Sequence, residues 1–79
     1  MNMTYDEKLI HYATAPRATA GEITSMVNGR FVTKWAGRLR GTFVSMSGEW
    51  KFTNKEDALA LARRYRQDAF DKAKAKGLF

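Results

Sequence analysis

The 79-residue chain contains no cysteine, one proline and one histidine. Without cysteine it can build neither a disulfide framework nor a thiolate zinc site, so a chain this short must hold its shape by packing. With His11 as the sole imidazole, a histidine metal set or a nucleophile–histidine pair lacks the members it needs. No stretch approaches the roughly 20 apolar residues of a membrane span. The opening MNMTYDEKLI places acids where a signal peptide carries an apolar run, so the expectation is a soluble, cytoplasmic protein with no membrane partner. One absence is local: no acidic residue occurs from Ile23 to Gly48, a stretch that holds Arg30, Lys34, Arg38 and Arg40.

What is present points to one small ordered domain. The chain is 44% hydrophobic and 28% charged, which is globular rather than disordered composition, and it is too short for a second core. Two tryptophans, three tyrosines and five phenylalanines are enough to fill one sheet–helix interface. Fourteen Lys and Arg against eight Asp and Glu give a formal charge of +6. That excess, concentrated in the middle of the chain, meets the electrostatic criterion for expecting a nucleic-acid partner.

Thr4 and Glu7 have capping-box spacing, and Tyr5, Leu9, Tyr12 and Ala13 recur at helical intervals, which predicts a helix over residues 5–13. Pro16 and the small polar run to Gly21 read as a connector. Residues 22–27 favour a strand, and Asn28-Gly29 favours a type I′ turn into the next one. Alternation then sets Phe31, Thr33 and Trp35 on one face and Arg30, Val32 and Lys34 on the other. A second turn at Ser47-Gly48 sets Ser45 opposite Trp50 and Phe43 opposite Phe52. Arg38, Arg40, Thr42, Val44, Met46, Glu49 and Lys51 are left on the reverse face. A bulge or three-residue connection near Gly37 places Trp35 opposite Leu39 and Phe31 opposite Phe43, which collects the aromatic residues on a single core face.

Thr53 and Glu56 repeat the capping-box spacing, and Ala58, Leu61, Ala62, Tyr65, Ala69 and Ala73 form a 3.6-residue apolar stripe ended by Gly77. The expected fold is α+β in the order α-β-β-β-β-α. A helix and connector over 1–21 precede an antiparallel sheet of three to four strands over 22–52, and a long helix over 53–79 packs on the aromatic face.

Nothing in the chain assembles a catalytic set or calls for a cofactor. His11 sits four residues from Glu7 in a surface helix pair, the other acids cluster at helix starts, and the glycines do not form a phosphate loop between strand and helix. The aromatics offer π-faces on which bases stack, but as the only core available to so small a domain they are assigned to the interior. The candidate nucleic-acid contacts are therefore Arg30, Lys34, Arg38, Arg40 and Lys51 on the outward sheet face, with Arg63, Arg64 and Arg66 as additional candidates on the long helix. Lys72, Lys74 and Lys76 read as a solvated last turn.

From Trp35 through GEWKFTNKEDALALARRY the chain resembles the three-strand-plus-helix DNA-binding domains of the plant ethylene-response proteins and the arm-binding domains of tyrosine recombinases. There a tryptophan- and arginine-bearing sheet precedes an aromatic-Thr-x-x-Glu-x-Ala helix start, matched here by Phe52, Thr53, Glu56 and Ala58. The resemblance implies that Arg30, Lys34, Arg38 and Arg40 face double-stranded DNA. A second expectation rests on format alone: small phage accessory proteins, anti-CRISPR proteins among them, act by binding and blocking a host protein. In that reading Val44 and Met46 matter as much as the arginines.

Overall fold

The computed structural model describes residues 2–79. Helix α1 spans Tyr5–Ala13 and opens on the expected capping box. The Glu7 N–H donates to Thr4 Oγ1 at 3.2 Å, and the Thr4 N–H donates to Glu7 Oε1 at 3.1 Å. Strands β1 (Ala18–Val27), β2 (Arg30–Leu39) and β3 (Thr42–Phe43) follow, and helix α2 spans Lys55–Ala75. The strands form an antiparallel sheet in the order β1-β2-β3, so the architecture is α+β with the long helix last. Among the described residues no helix is long and apolar enough to cross a membrane.

Asn28 and Gly29 make the first turn at positive φ, 51° and 77°, and set Val27 opposite Arg30. From there ten cross-strand pairs run without a bulge to Ala18 opposite Leu39. The run of small residues before Glu22, expected to be connector, is therefore strand. Ala20 and Gly21 pair with Gly37 and Ala36, where small residues suit a crowded stretch of sheet.

The second turn lies at Arg40-Gly41, with φ of 50° and 76°, and not near Gly37. It pairs Leu39 with Thr42 and Arg38 with Phe43, which replaces the expected pairs of Trp35 with Leu39 and Phe31 with Phe43. Gly37 stays inside β2 because the helix needs the space. A Cβ there would stand 2.6 Å from the Ala58 carbonyl oxygen and 2.9 Å from Ala62 Cβ. Beyond β3 the Val44 N–H still donates to the Gly37 carbonyl at 3.1 Å, and then the chain leaves the sheet. Met46 and Glu49 exchange hydrogen bonds of 3.0 and 2.9 Å around Ser47-Gly48, and the chain returns at Phe52, which exchanges two bonds of 2.7 Å with Trp35. The turn at Ser47-Gly48 is as expected, but Phe52 pairs with β2 rather than with Phe43. What resembled a fourth strand is a single bridge.

The core is made of alanine and aliphatic residues. Leu39, Val44, Ala15 and Ala62 form one cluster edged by Tyr12 and Tyr65, and Leu9, Ala69 and Ala73 form a second edged by Leu78. The alanine stripe of α2 lets it lie close to the sheet at Gly37, and no aromatic residue is among the buried ones; Trp35 and Phe52 are half-buried, so the expected aromatic core does not form. Phe31 is 75% exposed, Phe43 43% and Trp50 38%, whereas Val44, expected on the outer face, is buried. At its far end α2 closes as expected at Gly77, with Leu78 N–H donating to Ala73 O at 2.9 Å and Gly77 N–H to Lys74 O at 3.0 Å. The apolar contact of Leu78 with Ala73 completes this cap.

Candidate nucleic-acid interface

Gly37 and Leu39 point at α2, so alternation sends Arg30, Val32, Lys34, Ala36 and Arg38 of β2 to the opposite face. Their cross-strand partners Val27, Ser25, Ile23, Gly21 and Thr19 share that face, as does Phe43, the partner of Arg38. No carboxylate stands among these residues; Glu22 pairs with Trp35 on the helix side. Among the described residues no helix covers this face, and Ala36 is the one fully buried residue on it.

Arg38 is held where it stands. Its Nε and Nη2 donate to the Gly41 carbonyl at 3.3 and 2.8 Å, and its guanidinium carbon lies 5.0 Å from the Phe43 ring centroid. The Phe43 and Trp50 centroids are 6.4 Å apart at 61°, an edge-to-face pair. Lys51 Nζ lies 4.6 Å from the Trp50 centroid, and Lys34 Nζ donates to Thr53 Oγ1 at 3.4 Å. Gly21 supplies the floor: a Cβ on it would stand 3.0 Å from Arg38 Cδ and 3.5 Å from Phe43 Cε1. The open face is thus a row of cations, Arg30, Lys34 and Arg38, joined at its rim by Lys51 and set among aromatic rings.

The other candidates lie elsewhere. Arg40, expected in the same row, is redirected by its positive φ at the turn and reaches the end of α1. Its Nε donates to His11 O at 2.9 Å and its Nη2 to Thr14 O at 3.2 Å, so it serves as a cation on the last carbonyls of that helix. Arg66 is half-buried and donates to Ala15 O at 3.5 Å. Arg63 and Arg64 are exposed on α2, which covers the other side of the sheet, so they do not extend the open face. Lys72 pairs with Asp68 at 3.0 Å, a contact that raises its pKa, and Lys76 pairs with Asp6.

A half-open cleft of about 390 Å³ lies between the two helices and residues 45–47, lined by Tyr5, Leu9, Tyr12, Met46, Tyr65 and Lys72. Burial pushes the Tyr65 hydroxyl up from its ordinary pKa, with Tyr12 beside it adding to the effect. Of the two lysines on this cleft, Lys8 and Lys72, the second is paired with Asp68, and the cleft lies on the helix side of the sheet, away from the basic row.

Sequence reasoning missed the exposure of Phe43 and Trp50. The signal that finds it is Arg40-Gly41, a residue–glycine pair suited to a two-residue turn; counting back from it sets Phe43 beside Arg38. No family model, curated protein or solved structure matches the chain. The reading of this face rests on its own chemistry.

Proposed function

We propose that the protein is a non-catalytic DNA-binding module that lays its open sheet face against the phosphate backbone. The observation that carries this is the placement of Arg30, Lys34, Arg38 and Lys51 on or beside one open face whose paired strand residues include no carboxylate. Each cation within reach of a phosphate displaces condensed counterions, and that release supplies affinity without reading sequence. Arg38 contributes most per contact, because its guanidinium is already oriented by the Gly41 carbonyl and the Phe43 ring and loses little freedom on binding. Double- and single-stranded DNA both present the backbone this face would hold.

The test is a salt titration of binding to a duplex and a single strand of equal length. The expected log–log slope is about −2 to −4, as a few released counterions require. Arg38→Ala and Lys34→Ala lower both affinity and slope, while Lys74→Ala leaves them nearly unchanged. Binding that ignores salt and survives both substitutions overturns the proposal.

One observation favours a protein partner as a second reading. Met26, Val27 and Phe31 at the end of the first hairpin are 64%, 50% and 75% exposed, an apolar tip that no element among the described residues covers. It amounts to roughly 300–400 Å², short of the ~800 Å² that each side of a stable interface usually contributes, so it ranks second. In that reading a captured host protein stays bound at high salt and is lost with Phe31→Ala rather than with Arg38→Ala.

A further inference from the structure

We propose that Phe43 and Trp50 form a platform on which unpaired bases stack, so that the DNA on this face is single-stranded where it crosses β3. This rests on the DNA-binding reading above and narrows it from a backbone to a particular form of nucleic acid. Two neighbouring rings stand open on the one face that also carries the cations. Each has a positive group set over it, Arg38 at 5.0 Å from the Phe43 centroid and Lys51 at 4.6 Å from the Trp50 centroid. A base that stacks on either ring takes that cation's place over it and leaves the cation beside the nucleotide's own phosphate, so the two contacts suit one nucleotide rather than two separate partners.

A shallow hollow of about 310 Å³, lined by Phe43, Val44, Ser45 and Trp50, gives a planar group room beside the rings. The platform is held from both ends. Val44 is hydrogen-bonded to Gly37 on one side of the excursion and Phe52 to Trp35 on the other, so Trp50 sits on a segment pinned to β2 before any ligand arrives. The absence of a side chain at Gly21 lets Phe43 and Arg38 lean across the sheet. A duplex makes no use of this arrangement, because its bases already stack on one another and present only their edges in the grooves. An unpaired strand offers a π-face with every base, and aromatic rings between cations are the recurring means of holding one.

The experiment compares oligo(dT) with a mixed-sequence duplex of the same length at low salt. In a Trp35→Phe variant, Trp50 is the remaining tryptophan, and its fluorescence is expected to be quenched by oligo(dT) but not by the duplex. Trp50→Ala and Phe43→Ala, each checked for an unchanged circular dichroism spectrum, are expected to weaken oligo(dT) binding roughly 5- to 150-fold. Trp50→Ala leaves the salt slope and the duplex affinity unchanged, whereas Arg38→Ala lowers the slope. The platform is overturned if the duplex binds as tightly as oligo(dT) while Trp50 fluorescence stays constant, or if Trp50→Ala binds oligo(dT) like the parent protein. Failure of both DNA forms to bind overturns the DNA-binding reading itself.

Discussion

Gly37 sets how near the long helix comes to the sheet. Because a Cβ there would press on the Ala58 carbonyl oxygen and on Ala62, both fixed parts of α2, the helix has to move before any side chain fits. Gly37→Ala is expected to cost about 1–3 kcal/mol, the usual range for overpacking, and to lower the melting temperature. Gly21→Ala is the control, since the nearest atom its Cβ meets is the Arg38 side chain, which can swing aside. Equal melting temperatures for the two variants would show that close approach at Gly37 is not what positions α2. Ala36-Gly37 and Arg40-Gly41 look alike in the sequence, each a residue–glycine pair between strands. What separates a glycine that turns the chain from one that makes room is a helix that starts at Lys55, so no local pattern around Gly37 reveals its role. Arg40 shows the same dependence from the other side. As a cation it was legible, but its partners His11 and Thr14 lie across the fold and came to light only with the turn.

At the scale of elements, the helices were far more legible than the sheet. The bounds of α1 follow from Thr4, Glu7 and the apolar spacing alone, and the stripe of α2 buries the alanines and Leu61 that periodicity selects. Helix signals are local, so distant residues rarely overrule them. The exception is the start of α2, where the Asn54 side chain at the N-cap donates to Asp57 Oδ2 and caps no backbone N–H, and the Thr53 hydroxyl instead accepts from Lys34. Thr4→Ala should therefore cost about 0.5–2 kcal/mol in chemical denaturation and Thr53→Ala less; the reverse order would mean that the α2 cap is the working one. The Thr4 N–H, followed by the Thr4 hydroxyl, holds the Glu7 pKa below the ordinary carboxylate value. A lowered carboxylate stabilises the fold above its unfolded pKa and loses that contribution as pH falls through the folded value. Acidification should thus fray α1 in circular dichroism, and Glu7→Gln should flatten that response. The sheet was less legible because its faces depend on parity: moving the second turn from near Gly37 to Arg40-Gly41 exchanges the sides of Phe43 and Val44. An aromatic residue in a strand looks the same whether it fills a core or stands beside an arginine.

Across the whole molecule, charge is sorted by place. The far end of the helix pair neutralises itself through Lys72 with Asp68 and Lys76 with Asp6, so much of the unbalanced +6 is left to the sheet, its rim and the outer side of α2. The molecule measures 49 × 28 × 21 Å, long enough for the basic row to lie along a nucleic-acid strand rather than touch it at one point. The grip of Arg40 on the end of α1 has a consequence for the order in which the chain assembles. Arg40 reaches residues 29 and 26 positions earlier, and the Asp6–Lys76 pair closes 70 positions. Closing such loops costs entropy that only finished partners repay, so α1 is expected to dock after the hairpin and α2 have formed and to be the first element to leave. Native-state hydrogen exchange should find α1 opening at a lower free energy than β1 and β2, and Arg40→Ala should speed exchange in α1 while leaving the hairpin protected. Exchange of α1 amides only through global unfolding would instead make the whole chain one cooperative unit.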